Sequence, residues 1–287
     1  MNNVAHLQKR TVKDAIILGS RELERSDSGR LDAEILLAYI LGLSRTQLYC
    51  AFKDQLKSQD AYDYQQVIKK RRLGIPVPYI TGYTEFWSMK LKITEDVLVP
   101  RPETELLVEV ALDHIKETAD FITVDLGTGS GAIAAAIAFE HPDIYLVAAD
   151  QSEAALSLAQ SNFTTLNLKN IRCVASNWMS AFRNLKASLI VANPPYVSVN
   201  DSNLVDQAVL FEPTDSVFAD SNGLSELEKI IRTSWDSLKN NGHLIVEHGH
   251  LQGTIVRNYF AQIGFTHINT FKDINRHDRV TMGKTTD

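Results

Sequence analysis

Apolar positions in the early part of the chain recur at intervals of three and four, as in Leu31-Asp32-Ala33-Glu34-Ile35-Leu36-Leu37-Ala38-Tyr39-Ile40-Leu41. That spacing lines one face of an α-helix. The pattern runs from residue 5 to about residue 72 and is broken by Gly42 and by polar connectors such as Ser26-Asp27-Ser28-Gly29, which predicts a small helical bundle. Gly74-Ile75-Pro76-Val77-Pro78 then ends the helical pattern and is expected to mark the domain boundary, because proline lacks the amide donor and glycine costs helix entropy. Residues 84–98, TEFWSMKLKITEDVL, are aromatic and β-branched with partial alternation, which suits a hairpin. Past Pro100-Arg101-Pro102, Thr104 is placed to cap a helix through LLVEVALDHIKE.

From there short apolar runs alternate with helical patterns. Strands are predicted at 121–126, 145–150, 172–176, 189–193 and 243–247, with helices between them, and a last pair near 266–271 and 279–282 reads as an edge hairpin. The alternation predicts an α/β chain with a right-handed, doubly wound parallel sheet. Three parts are expected: a helical domain at 1–83, a hairpin linker at 84–100, and an α/β domain at 101–287.

Composition changes this picture only slightly. With 287 residues the chain exceeds the usual span of one core. No leader opens it at Met1-Asn2-Asn3 and no apolar run is long enough for a membrane span, so a cytoplasmic location is expected. Cys50 and Cys173 lie too far apart in a chain of this size to suggest a disulfide framework and are expected as buried thiols. The net charge of −6 is uneven: residues 1–73 hold 13 Lys+Arg against 9 Asp+Glu and the remainder 16 against 26, giving +4 and −10. Lys69-Lys70-Arg71-Arg72 ends the basic part, either as a solvated helix end or as a surface for an acidic partner. His248 and His250 are the one close histidine pair, without metal-ligand spacing, and no metal site is expected.

Two motifs carry chemistry. Val124-Asp125-Leu126-Gly127-Thr128-Gly129-Ser130-Gly131-Ala132 follows a predicted strand and opens a helix, which puts its glycines at the carboxyl edge of the sheet, where ligands bind in such folds. Asp150 ends the next strand, where a carboxylate accepts from both hydroxyls of a ribose. A nucleoside cofactor follows, but Gly127-x-Gly129-x-x-Ala132 also satisfies the dinucleotide fingerprint.

Leu189-Ile190-Val191-Ala192-Asn193-Pro194-Pro195-Tyr196 breaks the tie, because a nicotinamide enzyme has no use for it. Each proline fixes φ, removes an N–H and restricts the residue before it. The loop therefore offers acceptors: the Asn193 side-chain oxygen and the Pro194 carbonyl are placed to take the two N–H bonds of a planar amide or amine and turn its lone pair toward a sulfonium methyl. Tyr196 is placed against the acceptor group, favouring the charge that grows on nitrogen. No carboxylate is needed as base. Trp178 is expected beside the adenine of S-adenosylmethionine and Asn177 within reach of its amine, although Trp178 suits an ordinary core as well.

These residues, with Gly74-Ile75-Pro76-Val77-Pro78-Tyr79-Ile80-Thr81-Gly82, Glu85-Phe86-Trp87, Pro100-Arg101-Pro102-Glu103-Thr104-Glu105, Phe211-Glu212-Pro213, Gly223-Leu224 and Glu247-His248-Gly249, resemble the HemK/PrmC protein-(glutamine-N5) methyltransferases. Asp32-Ala33-Glu34-Ile35-Leu36-Leu37 extends the likeness into the helical part. That family modifies the Gly-Gly-Gln glutamine of bacterial peptide chain release factors in support of translation termination. The resemblance implies a class I (Rossmann-like) methyltransferase in which Gly127, Thr128, Gly129, Ser130, Gly131, Asp150, Asn177, Trp178 and Asn193 bind S-adenosylmethionine, leaving S-adenosylhomocysteine as product. It implies that Asn193, Pro194, Pro195 and Tyr196 hold the glutamine, with Asn193, Pro194 and Tyr196 catalytic, and that the helical domain engages a release factor. Relatives commonly carry aspartate where this chain has Asn177.

Other readings differ in acceptor. A sister group modifies a glutamine of a large-subunit ribosomal protein, which composition does not separate from the first. A nucleic-acid amino methyltransferase uses the same clamp on a flipped base, but the −10 of residues 74–287 disfavours a nucleic-acid surface. A cofactor-holding scaffold has no use for an intact clamp. A monomer without membrane or direct nucleic-acid partner is expected.

Overall fold

In the computed structural model residues 11–24, 26, 28–115, 120–182, 184–201 and 207–286 are described. The start of the predicted bundle at residues 5–10, Asp27 of the connector and the Lys116-Glu117 end of the predicted LLVEVALDHIKE helix lie outside them. The chain divides into two compact units, Met1–Gly82 with Gln207–Phe211, and Tyr83–Asp206 with Glu212–Asp287.

The first unit is helical: α1 (Val12–Glu22), α2 (Gly29–Leu41), α3 (Arg45–Cys50), α4 (Ser58–Arg72) and α5 (Val77–Thr81). Capping boxes at Thr11 with Asp14 and at Ser44 with Gln47 start α1 and α3, and Leu36, Leu37, Leu48 and Ile68 fill the core. The Gly-Pro break after α4 lies inside this unit and is followed by the short α5. Gly74, at φ +102°, is required there because a Cβ would meet the Phe211 ring at 2.9 Å. Phe211 belongs to a five-residue segment that rejoins the helices from far along the chain, a return that no local pattern announces. Arg71 of the basic run turns inward to Asp32 at 2.7 Å, while Lys69, Lys70 and Arg72 are exposed, Arg72 facing Glu22 at 3.7 Å. Cys50 is exposed and Cys173 half-buried, not buried as expected: the six-residue α3 buries only Leu48.

The second unit opens with the hairpin β1 (Tyr83–Phe86) and β2 (Met89–Lys92), turning through Trp87 and Ser88, both at positive φ. Neither residue favours that conformation. Its support is tertiary: the Trp87 N–H donates to Glu105 at 2.8 Å and its indole to Glu140 at 2.7 Å. Phe86, Met89 and Leu91 join one of the two cores of this unit.

Then follow α6 (Glu105–Leu112), β3 (Ile122–Leu126), α7 (Ala132–Glu140), β4 (Tyr145–Asp150), α8 (Glu153–Thr165), β5 (Ile171–Ala175), β6 (Ala187–Ala192), β7 (Val197–Ser198) and the single turn α9 (Thr214–Val217). Next come β8 (Phe218–Ala219), α10 (Asp220–Gly223), α11 (Ser225–Trp235), β9 (Leu238–Glu247), α12 (Gly253–Ile263), β10 (Thr266–Lys272) and β11 (Asp278–Lys284). Seven strands form one sheet in the order β10-β11-β9-β6-β3-β4-β5, parallel from β9 to β5 and antiparallel at β11 and β10. This is the doubly wound sheet with terminal hairpin expected from the alternation.

Thr104 does not cap α6. It adopts helical angles itself, behind a 3-10 turn at Pro102–Thr104, and makes no side-chain capping bond. Its hydroxyl is committed elsewhere.

Candidate active site

The parallel register brings Leu126, Asp150, Ala192 and Glu247 to one edge of the sheet. The glycine loop leaves that edge after β3 with Gly127, Gly129 and Gly131 all at positive φ. At Gly131 a Cβ would meet the Phe163 ring at 2.6 Å, and at Gly127 it would meet Trp178 at 3.1 Å. The loop N–H groups of Gly127 and Thr128 both donate to Ala149 O. The Gly129 N–H donates to one Asp150 oxygen and the Ser152 N–H to the other, each at 2.9 Å. Asp150 is thus held by two backbone donors at the end of β4.

Beneath the loop lies Asp125, fully buried, accepting the Thr128 hydroxyl at 2.6 Å. Burial pushes its carboxyl up to about 7, with the charge of Asp150 adding and the Thr128 hydroxyl opposing. Asn162 ties this loop to the hairpin: its amide nitrogen donates to Ser130 O at 2.9 Å and to Lys92 O at 3.1 Å, and its oxygen accepts the Lys92 N–H at 2.9 Å.

A cavity of about 250 Å³ opens above, lined by Gly127, Gly129, Asp150, Asn177, Trp178, Asn193 and Pro195 among the residues picked out in the sequence, and also by Asp96, Leu98, Pro213 and Asp215. Thr128, Ser130 and Gly131, also picked out in the sequence, are not among its lining residues, and Thr128 and Ser130 are buried. Trp178 sits at φ 48°, an uncommon angle for a bulky residue, held by Ser176 Oγ donating to its carbonyl at 2.6 Å and by its indole donating to Glu226. Asn177 is engaged at both ends: its nitrogen donates to Gln151 at 3.3 Å and its oxygen accepts Lys229 Nζ at 3.0 Å.

The acceptor loop leaves β6. Pro194 and Pro195 are buried, and Asn193 donates from Nδ2 to Thr104 Oγ1 at 3.2 Å. The Tyr196 phenol donates to Glu247 Oε1 at 2.9 Å, and its carbonyl accepts Gln252 Nε2 at 3.0 Å. Gly223, at φ +79°, is required beneath it because a Cβ would collide with that carbonyl. Glu247 is fully buried and its Oε2 has no hydrogen-bond partner among the described residues. Burial pushes its carboxyl up, against the Thr104 and Tyr196 hydroxyls and Arg279, which favour the charge. Burial and that carboxylate in turn push the Tyr196 phenol up, so it stays protonated.

The Pro100-Arg101-Pro102-Glu103-Thr104-Glu105 stretch serves this edge in three places: Arg101 pairs with buried Glu212 at 2.6 Å, Thr104 meets Asn193, and Glu105 meets Trp87. Sequence reasoning cast Thr104 as a helix cap and gave Glu247 no role. The signal that would have found them is their position, one on the turn before α6 and the other the last residue of β9. His248 is buried between Gly249 O and the Thr281 hydroxyl, a structural histidine kept neutral by burial. Among the described residues no group of three or more His, Cys, Asp or Glu is placed to hold a metal ion, and no helix is long and apolar enough to cross a membrane.

The pattern of the PrmC N-terminal domain matches residues 14–82, and that of the methyltransferase small domain matches residues 103–215. The chain is 40% identical over 263 residues to the release factor glutamine methyltransferase of Escherichia coli (strain K12), covering 92% of this chain and 95% of that protein. The chain belongs to the release factor glutamine methyltransferase family. The family member of Aliivibrio fischeri is 38% identical over 266 residues, covering 92% of this chain and 93% of its own. A solved methyltransferase from Pyrococcus furiosus superposes with a TM-score of 0.52 at 15% identity, over 69% of this chain and 89% of that one, which shows the shared fold. This release factor glutamine methyltransferase family membership and the fold make the chain a methyltransferase.

Proposed function

We propose that this chain methylates the side-chain amide nitrogen of the Gly-Gly-Gln glutamine of peptide chain release factors, using S-adenosylmethionine, in the cytoplasm. One observation carries the reading: Asn193 lines the cavity and donates an amide N–H to Thr104, which leaves Oδ1 as an acceptor. With the Pro194 carbonyl it offers two acceptors, the complement of the two N–H donors of a primary amide.

The residues present fit the cofactor. Gly129 has no atom within 4 Å of where a Cβ would stand, so the loop presents bare backbone to the cavity, and Asp150 stands beside it as a carboxylate for the ribose hydroxyls. The Trp178 face and Asn177 are proposed to hold the adenine. Bound there, S-adenosylmethionine supplies an electrophilic methyl group on a sulfonium centre.

The protein's own contribution is orientation. An amide nitrogen is a poor nucleophile because its lone pair is delocalised. Asn193 Oδ1 and Pro194 O, by accepting its two N–H bonds, favour the pyramidal geometry in which the lone pair is free. The prolines keep that pair of acceptors rigid, and the Tyr196 ring favours the positive charge that grows on nitrogen. The nitrogen, once cationic, is acidic enough to release its proton to a neighbouring carbonyl or water, so no buried carboxylate is needed as base.

The test incubates the protein and S-adenosylmethionine with an unmethylated release factor, ribosomal proteins, DNA and RNA, and reads methylation by peptide mass spectrometry. One added methyl on the Gly-Gly-Gln glutamine is the expected result. Transfer confined to a ribosomal protein or to nucleic acid overturns the proposal and names the acceptor class instead.

A further inference from the structure

Where the acceptor loop ends, three backbone carbonyls converge on one side chain. Tyr196 runs into β7, which pairs in parallel with β8, Val197 beside Phe218 and Ser198 beside Ala219. From β8 the chain enters α10, in which Ser221 (φ 55°, ψ 45°), Asn222 (φ 58°, ψ 38°) and Gly223 (φ 79°) are all left-handed. A serine adopts that region at a cost, and such a turn persists only where its surroundings enforce it. Gln252 closes the group: its Nε2 donates to Tyr196 O at 3.0 Å and to Asn222 O and Gly223 O at 3.3 Å each. Its Oε1 accepts the Gly249 N–H at 2.8 Å, which settles which end of the amide faces the carbonyls.

We propose that Gln252 is a positioning residue for the transfer: its N–H₂ gathers three carbonyls and so anchors the exit of the acceptor loop, and the two prolines carry that anchor back to the Pro194 carbonyl. The inference rests on the clamp reading above. Pro194 and Pro195 fix φ, and each restricts the residue before it, so the loop from Asn193 to Tyr196 behaves as a stiff rod. A stiff rod is aimed by its two ends. Its entrance is set by β6 and by the Asn193 bond to Thr104. At its exit the Tyr196 phenol bond to Glu247 fixes the ring, and the carbonyl bond to Gln252 acts directly on the backbone.

Three acceptors that share one place repel each other unless a donor stands between them. With the donor gone, the left-handed turn, already costly, is free to relax away from Tyr196. The Pro194 carbonyl then shifts with the rod, and the amide it should orient is presented at the wrong angle. Nothing in this path touches the glycine loop, so cofactor binding should be spared.

The experiment compares with the wild type Gln252→Met, which keeps the length and removes the donor, and Gln252→Glu, which keeps an acceptor for Gly249 and replaces the donor with oxygen. It measures kcat on an unmethylated release factor, S-adenosylmethionine affinity by calorimetry, Tm, and the Val197 amide nitrogen resonance by NMR. That nitrogen shares a peptide group with the Tyr196 carbonyl and senses its hydrogen bond. Gln252→Met should lower kcat between about tenfold and 10²-fold, the size expected from a small misplacement of the reacting groups, with cofactor affinity within about twofold. Gln252→Glu should lose more at about pH 8, where a carboxylate faces the carbonyls, and should recover relative to the wild type as pH falls and the carboxyl regains an O–H donor. The Val197 resonance should shift in both. A residue that only supports the fold would lower Tm and leave kcat of the folded protein intact.

A kcat within about twofold of wild type in Gln252→Met overturns the inference, as does a loss of cofactor affinity as large as the loss of kcat. Should Gln252→Met not fold, the pH profile of Gln252→Glu decides, and a ratio to wild type that stays constant with pH overturns it. If the wild type itself transfers nothing to a release factor, the proposed function fails instead. The Val197 resonance then still decides the inference, since it needs no substrate: an unshifted signal overturns it.

Discussion

The glycine loop after β3 and the Asn-Pro-Pro-Tyr loop after β6 leave the same edge of adjacent parallel strands, yet they are built in opposite ways. The first is shaped by backbone. Its glycines occupy left-handed angles, and its N–H groups and that of Ser152 end on Ala149 and Asp150. The second has lost backbone donors to two prolines and is shaped by side chains, with Asn193 tied to Thr104 89 residues away and Tyr196 tied to Glu247 51 residues away. On the function proposed above, the surface for one fixed small molecule is encoded within a strand-turn-helix unit, and the surface that presents one end of an amide is encoded by whatever the rest of the sheet brings to it.

The sharpest way to break this contrast is to cross the two loops. Asn193→Ala should lower kcat by about 10²-fold or more, the size found for removing one polar group that acts on the transition state, while cofactor affinity falls much less. Asp150→Ala should do the reverse, weakening cofactor binding about 10-fold to 100-fold, as expected for a charge-assisted hydrogen bond, with kcat at saturating cofactor changed far less. Calorimetry with S-adenosylmethionine beside steady-state kinetics reads both. Equal loss of rate and affinity in either variant would mean that the loops do not divide the labour.

The same contrast sets what the sequence discloses. The glycines, Asp150 and the paired prolines were legible because their constraints are local: a positive φ, a strand end, a missing N–H. Of the parallel strands, β3, β4, β6 and β9 were legible for the same reason, since apolar runs mark strands buried on both faces, while the edge strand β5 was read from its β-branched residues. Thr104 was misread because a threonine before a helix satisfies the local rule for a cap, and only the tertiary fold reveals that its hydroxyl serves Asn193. Glu247 had the same strand-end signal as Asp150 but no motif beside it, and Gln207–Phe211, which joins the helical unit across the chain, had no local signal. Trp87 and Ser88 turn a hairpin at angles their types disfavour because Glu105 and Glu140 hold them there.

Each loop also rests on one fully buried carboxylate, Asp125 under the first and Glu247 under the second. Burial pushes Asp125 from 3.8 to about 7. Since the folded state holds this proton more tightly than the unfolded chain, its contribution to stability is complete below about pH 4 and is lost as pH rises through about 7. The ionised group then costs the fold up to about 4 kcal/mol. Asp125→Asn keeps an acceptor for the Thr128 hydroxyl and removes the charge. Its Tm should exceed that of the wild type by a margin that widens from pH 5 to pH 8. A margin that stays constant with pH would show that Asp125 does not titrate in that range.

The smallest effect lies across the cavity from the glycine loop, at Asn177 after β5. Its oxygen accepts Lys229 Nζ at 3.0 Å, so this chain spends on a lysine the acceptor that the reading above assigns to the adenine amine. Lys229 is 46% exposed, and a surface contact of this kind is worth a few tenths of a kcal/mol to about 1. Lys229→Ala frees Asn177 Oδ1 and should tighten S-adenosylmethionine binding by no more than about fivefold, leaving kcat unchanged, as measured by calorimetry. Asn177→Asp should tighten it too, because a carboxylate has acceptors enough for both the lysine and the amine. Weaker binding in Lys229→Ala would mean that the lysine holds Asn177 in the orientation the cofactor needs, making even the cofactor side of the cavity depend on side chains in the way the acceptor loop does.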